Sequence, residues 1–169
     1  NMNTEELKFF IILCKVKNFT LASEQLLSHV PEVRNICKVS TVQLYNLDST
    51  NMRPEYWLEV ARYIRKVYDD YDGFVITHGT DTCAIFAQLA YRVLSILGIP
   101  FVITGAMKSP DKDPEESAYN LLFAIGCIEK GTSGVVFRNS DRIPSLYKAY
   151  AITSPDLDGI YKECKDCVE

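Results

Sequence analysis

The chain has 169 residues, of which 47% are hydrophobic and 24% are charged, and its formal net charge is −4. These values predict a globular protein of one domain, or of one domain with an incomplete second one. A net negative charge without a run of lysines or arginines argues against nucleic acid as a partner. No apolar stretch reaches the roughly 20 residues of a membrane span, and the acidic N-terminus is unlike a secretory signal. We therefore expect a cytoplasmic protein that does not bind membranes.

Short apolar stretches alternate along the chain with segments of helical periodicity. The stretches are rich in β-branched and aromatic residues, which is typical of strands that are buried on both faces of a sheet. The clear strands are predicted at Phe9–Cys14, Thr41–Tyr45, Gly73–Thr77, Phe101–Thr104 and Gly134–Phe137. A weaker strand candidate follows them at Leu146–Ile152.

Helices are predicted between these strands, at Leu21–Leu27, Pro54–Tyr71, Asp81–Leu97 and Ser117–Glu129. Pro54 suits a first helical position, and Gly98 is placed to end the third helix as a C-cap. Alternating strands and helices with short connections predict right-handed βαβ units. We therefore expect an α/β fold of the flavodoxin or Rossmann type, with a parallel sheet flanked by helices on both faces.

Polar turns follow three of the predicted strands, at 46–51, 78–82 and 104–109. Because the carboxyl ends of parallel strands meet at one edge of a sheet, these turns should cluster where such folds bind ligands. Together they supply hydroxyls, carboxylates and backbone amides. An aspartate can bind an ammonium group, while hydroxyls and helix-end N–H groups can bind a carboxylate. The cluster therefore favours a small zwitterionic ligand.

The same residue types are also those that cap helices and form turns. Asp48 or Asn51 could cap the helix that follows them, and Thr80 or Asp81 could cap the next one. His78 could act as a general base or could be bonded to backbone within its turn. Composition alone leaves the functional and the structural interpretation open.

Six cysteines are scattered along the chain, and the last two form a Cys164-Lys-Asp-Cys167 motif. A metal site of this kind needs a second pair of ligands, and the chain has only two histidines, His29 and His78. We therefore predict no metal, and the simplest interpretation of the motif is a pair of thiols.

Three blocks of this sequence carry a recognisable pattern, namely Val42–Met52 with Pro54–Trp57, then Tyr71–Thr82, then Pro100–Met107. The His-Gly-Thr-Asp-Thr sequence within the second block is the most specific of the motifs. The blocks resemble the bacterial-type L-asparaginase family, which includes glutaminase-asparaginases and an amidotransferase component. Order and spacing match the N-terminal α/β domain of the family from about Leu21 to Gly134.

The resemblance implies hydrolysis of L-asparagine to L-aspartate and ammonia through a threonine nucleophile, with L-glutamine as a second candidate substrate. It implies no cofactor, and it implies a homo-oligomer because the family forms its sites across subunits. Thr80 and Asp81 match two members of the family's Thr-Asp-Lys triad, and Lys148 is the best match to the lysine. The implied substrate-binding residues are Asp48, Ser49, Thr50 and Ala106.

The chain departs from the family in two respects. The Gly-Gly-Thr-Ile turn that carries the family's first nucleophile is replaced here by a sequence that runs from Cys14 to Thr20, and Thr20 is its only candidate substitute. Family members are also much longer. We expect 1–155 to form the N-terminal domain and 156–169 to be a tail or the start of an interdomain linker, with the C-terminal domain absent. An impaired paralogue or a fragment, which binds amino acid or acts as a scaffold, is the alternative.

Overall fold

A computed structural model of the chain describes residues 8–15, 30–108 and 112–167. The predicted helix Leu21–Leu27 and the candidate nucleophile Thr20 lie outside these residues. The helices are α1 (Val33–Ile36), α2 (Pro54–Val67), α3 (Cys83–Leu94) and α4 (Pro114–Glu129). The strands are β1 (Lys8–Lys15), β2 (Lys38–Asn46), β3 (Gly73–Thr77), β4 (Phe101–Thr104), β5 (Gly134–Arg138), β6 (Pro144–Tyr147), β7 (Ile152–Thr153) and β8 (Lys162–Glu163).

The main sheet has the strand order β2-β1-β3-β4-β5-β6. The first five strands are parallel, and β6 adds to the edge in the antiparallel direction. The predicted α/β class is therefore confirmed, with a mostly parallel sheet. The order 2-1-3-4-5 is that of the flavodoxin-like fold, whose ligands bind outside the carboxyl ends of β1 and β3, where the strand order reverses.

Helices cover both faces of the sheet. On one face, α2 and α3 pack against Phe74, Ile76 and neighbouring side chains. On the other face, α4 and α1 pack against Val75 and Val102. Successive residues of a strand point to opposite faces, so a continuous apolar strand such as β3 contributes to both cores. Among the described helices, none is long and apolar enough to cross a membrane.

The helix ends differ by a few residues from the predicted ones. Helix α3 begins at Cys83, after the N-cap residue Thr82, and Gly98 ends the 3₁₀ turn that follows it with φ 67°. This left-handed conformation confirms the predicted C-cap glycine. Helix α4 begins earlier than predicted because the Asp113 carboxylate accepts a hydrogen bond from the Glu116 N–H at 3.1 Å and so caps the helix.

The turns after β3 and β4 approach each other closely. The His78 N–H donates to the Thr104 carbonyl oxygen at 2.8 Å. A Cβ atom at Gly105 would lie 2.4 Å from the His78 carbonyl oxygen, closer than real Cβ atoms come to backbone. The contact between the two turns therefore requires glycine at position 105.

The described part of the C-terminal segment packs back onto the domain. Strands β7 and β8 pair with each other, and the Cys164 N–H donates to the Ala151 carbonyl oxygen at 2.8 Å. Tyr161 is 1% exposed and stacks on Phe137 with ring centroids 4.5 Å apart. The sequence predicts a tail or linker after residue 155. Residues 156–167 nevertheless contribute an aromatic side chain, Tyr161, to the core. The domain boundary itself stays a prediction.

Candidate functional site

The turns after β2 and β3 are tied together by two hydrogen bonds. Ser49, which is 1% exposed, donates its hydroxyl proton to Asp81 Oδ2 at 2.9 Å. In the other direction, Thr82 Oγ1 donates to the Ser49 carbonyl oxygen at 2.9 Å. The expected clustering is therefore present for these two turns. Asp81 is exposed, so its carboxylate stays accessible to solvent while it accepts the hydrogen bond from Ser49.

Thr80 and Asp81 do not cap the following helix. The N-cap of α3 is Thr82, and no side-chain capping bond is present there. The Thr80 carbonyl oxygen accepts a hydrogen bond from the Tyr161 hydroxyl at 2.9 Å. Its own hydroxyl enters none of the hydrogen bonds found within the described ranges. The backbone of Thr80 is therefore fixed while its hydroxyl is not engaged in capping.

Asp48 is an N-cap, as the structural interpretation of the sequence predicts, but it caps a different element from the one expected. Its carboxylate accepts hydrogen bonds from the Thr50 N–H at 3.1 Å and the Thr50 hydroxyl at 2.9 Å. It thereby caps the 3₁₀ turn Ser49–Asn51 and not α2, whose N-cap is Arg53 without a side-chain bond. Asp48 and Thr50 thus hold the turn that positions Ser49.

His78 is a buried, neutral part of the core and is 3% exposed. The Trp57 indole, which can only donate, bonds to His78 Nε2 at 3.2 Å, so Nδ1 carries the proton and donates to the Gly79 carbonyl oxygen at 2.7 Å. Phe86 stacks on the imidazole at 4.7 Å. Burial lowers the pKa of His78 to about 4. Both ring nitrogens are occupied, which confirms the backbone-bonded interpretation and leaves no free nitrogen for general-base work.

His78 should make the fold sensitive to acid. Its pKa of about 4 in the folded chain lies below the ordinary value of 6.5, so the unfolded chain binds the proton more tightly. Stability should be full above pH 6.5 and should fall by roughly 3 kcal/mol as the pH drops to 4. Urea unfolding at several pH values measures this, with His78→Gln as a control that does not titrate. Parallel losses in the two proteins would contradict the assignment.

The turn after β4 is held by two buried side chains of α4. The Glu116 carboxylate, 4% exposed, accepts the N–H groups of Met107 at 3.1 Å and Lys108 at 3.3 Å. The Asn120 side-chain amide, 0% exposed, donates to the Gly105 carbonyl oxygen at 2.8 Å. Ala106, a predicted pocket residue, therefore lies in a loop that is fixed on both sides. The sequence pattern did not identify Glu116 or Asn120.

A further residue that the sequence pattern did not identify lies directly below Thr80. Burial raises the pKa of Tyr161, and its interactions with Cys83 and with the Asp81 carboxylate raise it further, so its hydroxyl stays protonated and donates to the Thr80 carbonyl oxygen. Burial also raises the pKa of Cys83 to about 12, although the interaction with Tyr161 opposes this. The layer beneath the Thr80–Asp81 turn is therefore uncharged and holds the turn through neutral donors.

Within the described ranges, Lys148 makes no hydrogen bond or ion pair with this cluster. Tyr147 pairs with Val135 in the antiparallel β6, so the chain has turned back from the carboxyl edge of the sheet before it reaches Lys148. The Lys148 ammonium lies over the Tyr150 ring, 5.9 Å from its centroid. Within the described ranges, the ion pairs found join Arg138 to Asp113 and Lys162 to Asp156. The proposed catalytic role of Lys148 thus gains no support from this geometry.

The cluster at the carboxyl edge contains hydroxyls, one exposed carboxylate and fixed backbone. In the described part of the chain, no group of three or more histidine, cysteine, aspartate or glutamate side chains could hold a metal ion. The arrangement defines an α/β domain with a polar site at the switch point of a flavodoxin-like sheet.

The family follows from comparison with known sequences. The sequence profile described as "Asparaginase, N-terminal" matches residues 14–163. The chain therefore belongs to the asparaginase family, and the predicted resemblance is confirmed.

Several curated relatives are named as amidotransferase subunits. The chain is 42% identical over 114 residues to a glutamyl-tRNA(Gln) amidotransferase subunit from Archaeoglobus fulgidus, an overlap of 68% of this chain and 27% of the relative. The corresponding protein of Saccharolobus solfataricus is 39% identical over 107 residues, which is 62% of this chain and 24% of the relative. The chain thus spans about a quarter of the length of these relatives.

Solved structures agree with the fold. The thermostable L-asparaginase from Thermococcus kodakarensis superimposes with a TM-score of 0.75 at 26% identity, over 93% of this chain and 51% of that one. The probable cytoplasmic L-asparaginase from Campylobacter jejuni gives a TM-score of 0.73 at 23% identity, over 96% and 58%. The chain therefore spans somewhat more than half of each.

Proposed function

We propose that this chain is part of an asparaginase-type amidohydrolase that converts L-asparagine to L-aspartate and ammonia with Thr80 as a nucleophile. The observation that carries the proposal is the arrangement at the switch point. There a threonine whose hydroxyl caps no helix stands beside a carboxylate that Ser49 holds at 2.9 Å. Family membership adds the class of reaction.

The site is suited to binding an amino acid. The exposed Asp81 carboxylate can accept the α-ammonium group of the substrate, and its hydrogen bond from Ser49 fixes its orientation. The N-terminus of α3, a helix of 12 residues, favours negative charge beside it. The α-carboxylate, or the oxyanion that forms during hydrolysis, would benefit from this field.

In the proposed reaction, the Thr80 oxygen attacks the side-chain amide carbon of the substrate. A C–O bond forms, the proton of the Thr80 hydroxyl passes to the amide nitrogen, the C–N bond breaks and ammonia leaves; water then hydrolyses the resulting ester to L-aspartate and the free threonine hydroxyl. A hydroxyl needs a nearby base to attack, and the Lys148 ammonium lies over Tyr150. The proposal assigns the nucleophile to Thr80, and the role of Lys148 as its base stays a prediction.

A second candidate function is glutamine-amide hydrolysis within a larger complex. Two relatives that are 42% and 39% identical are named as subunits of a glutamyl-tRNA(Gln) amidotransferase, whereas the L-asparaginase from Thermococcus kodakarensis is 26% identical. In this case the chain would act on L-glutamine and would work beside partner subunits, whereas the first candidate is a homo-oligomer.

Ammonia release by the purified chain, measured with L-asparagine and with L-glutamine, tests and separates these candidates. A higher kcat/KM for L-asparagine supports the first candidate, and a higher value for L-glutamine supports the second. Release from neither above that of a heat-denatured sample would overturn both and favour an amino-acid-binding or scaffold paralogue.

Ligand binding gives a test that does not depend on turnover. L-Aspartate at a hundred times its dissociation constant should stabilise the fold by about 2.7 kcal/mol and raise the melting temperature by several degrees. Asp81→Asn should abolish this shift because the ammonium loses its charged partner, whereas Asp141→Asn, at an exposed carboxylate in the turn after β5, should retain it. An equal shift with D-aspartate would mean that no specific pocket exists.

A further inference from the structure

The C-terminal hairpin ends in two cysteines that are separated by a turn. The Cys164 N–H donates to the Ala151 carbonyl oxygen at 2.8 Å, so the first cysteine is anchored to the folded domain. Lys165 and Asp166 form the turn that leads to Cys167. A turn of this kind brings the Cα atoms of its first and fourth residues within about 7 Å, and disulfides span about 4.4 to 6.8 Å. The backbone therefore brings the two cysteines within the range that a disulfide spans, and their side chains are hydrogen-bonded to each other.

These two thiols differ from the other described cysteine side chains in their accessibility. Cys37, Cys83 and Cys127 are buried, whereas Cys164 is half-buried and Cys167 is exposed. Burial raises the pKa of the Cys127 thiol, as it does for Cys83, so both stay protonated. Small reagents in solution can therefore reach the Cys164–Cys167 pair and not the buried thiols.

The two thiols are also chemically unequal. A hydrogen bond from the Cys167 thiol is the main cause of a lowered pKa at Cys164, and backbone N–H groups of Asp166 and Cys167 support it. The same bond raises the pKa of Cys167. The Asp166 charge opposes ionisation of both thiols but does not reverse the order. A nucleophilic first thiol beside a protonated second one is the arrangement that thiol–disulfide exchange uses.

We propose that Cys164 and Cys167 form a redox-active dithiol that exchanges with a low-molecular-weight disulfide such as oxidised glutathione. The Cys164 thiolate attacks one glutathione sulfur, forms a mixed disulfide and releases the other glutathione as a thiolate. Cys167 then loses its proton and attacks Cys164 Sγ, which releases the second glutathione. The protein gains one disulfide, and one glutathione disulfide becomes two glutathione thiols, so electrons and atoms balance. This proposal does not rest on the proposed amide hydrolysis.

The test is equilibration of the full chain in buffers of increasing oxidised-to-reduced glutathione ratio, followed by acid quenching, alkylation and mass spectrometry. Trypsin cleaves after Lys165, between the two cysteines, so the reduced protein yields two separate peptides and the disulfide holds them together. We expect the linked pair to replace two alkylated peptides as the ratio rises. Full alkylation of both cysteines under oxidising conditions would overturn the proposal.

Single variants distinguish the attacking thiol from the resolving one. Cys167→Ser should accumulate a mixed disulfide at Cys164, seen as the added mass of one glutathione, because no thiol remains to release it. Cys164→Ser should be modified more slowly at Cys167, because Cys167 lacks the backbone N–H bonds that lower the pKa of Cys164. Cys127→Ser, at a buried thiol, should behave as the unmodified chain. Equal or reversed rates in the first two variants would contradict the assigned roles.

Discussion

Replacing Thr80 by valine is expected to lower kcat/KM for amide hydrolysis by at least about a thousandfold, because loss of a nucleophile typically removes several orders of magnitude. The fold should survive. Valine has nearly the shape of threonine, and the hydrogen bond that Thr80 receives from Tyr161 goes to its backbone carbonyl oxygen. Ammonia release and urea unfolding, measured on the same samples, separate an effect on chemistry from one on stability.

Two further variants make the Thr80 result specific. Thr132→Val changes an exposed threonine after α4 and should alter neither activity nor stability. Thr20→Val tests the other candidate nucleophile, which lies outside the described residues. If Thr80→Val keeps its activity, the Thr80 hydroxyl is not the nucleophile. If only Thr20→Val loses activity, the nucleophile belongs to the segment after β1.

Much of the sheet could be predicted because its strands are continuous apolar stretches between strong boundaries. The predicted bounds of Gly73–Thr77 and Phe101–Thr104 are those of β3 and β4. The prediction of a single strand over Leu146–Ile152 is wrong: β6 ends at Tyr147 and β7 starts at Ile152. Local periodicity identifies strands but not their direction, and the tight turn before β6, with Arg142 at φ 60°, makes it antiparallel.

The candidate site was predictable to the extent that it depends on parallel strands. Ser49 and Asp81 meet because β2 and β3 end at the same edge, which a strand-helix pattern implies. Side-chain contacts between segments that are distant in the sequence have no corresponding pattern in the sequence. Tyr161 is 81 residues from Thr80, and Trp57 is 21 residues from His78. The placement of Lys148 depends on the direction of β6, and the sequence pattern did not reveal this direction.

Trp57→Ala should remove about 5 kcal/mol of stability, a large share of the roughly 5 to 15 kcal/mol that holds a domain together. Trp57 is 6% exposed and packs against Phe86 with ring centroids 6.0 Å apart, so truncation leaves a cavity worth about 3 to 5 kcal/mol. It also removes the indole N–H that His78 Nε2 accepts at 3.2 Å, and an unpaired buried acceptor adds about 1 to 3 kcal/mol. Urea unfolding at pH 7 measures the sum.

Conservative and neighbouring variants divide this loss into its parts. Trp57→Phe keeps most of the apolar volume and should lose mainly the hydrogen bond, about 1 to 3 kcal/mol. Leu58→Ala, at the next position of α2 with 39% of its surface exposed, should lose less than about 1 kcal/mol.

His78 connects to the turn after β4 through Thr104, so Trp57→Ala should also weaken the rise in melting temperature caused by L-aspartate, while Leu58→Ala leaves it unchanged. Equal losses of stability in Trp57→Ala and Leu58→Ala would show that the Trp57–His78 pair does not anchor the site.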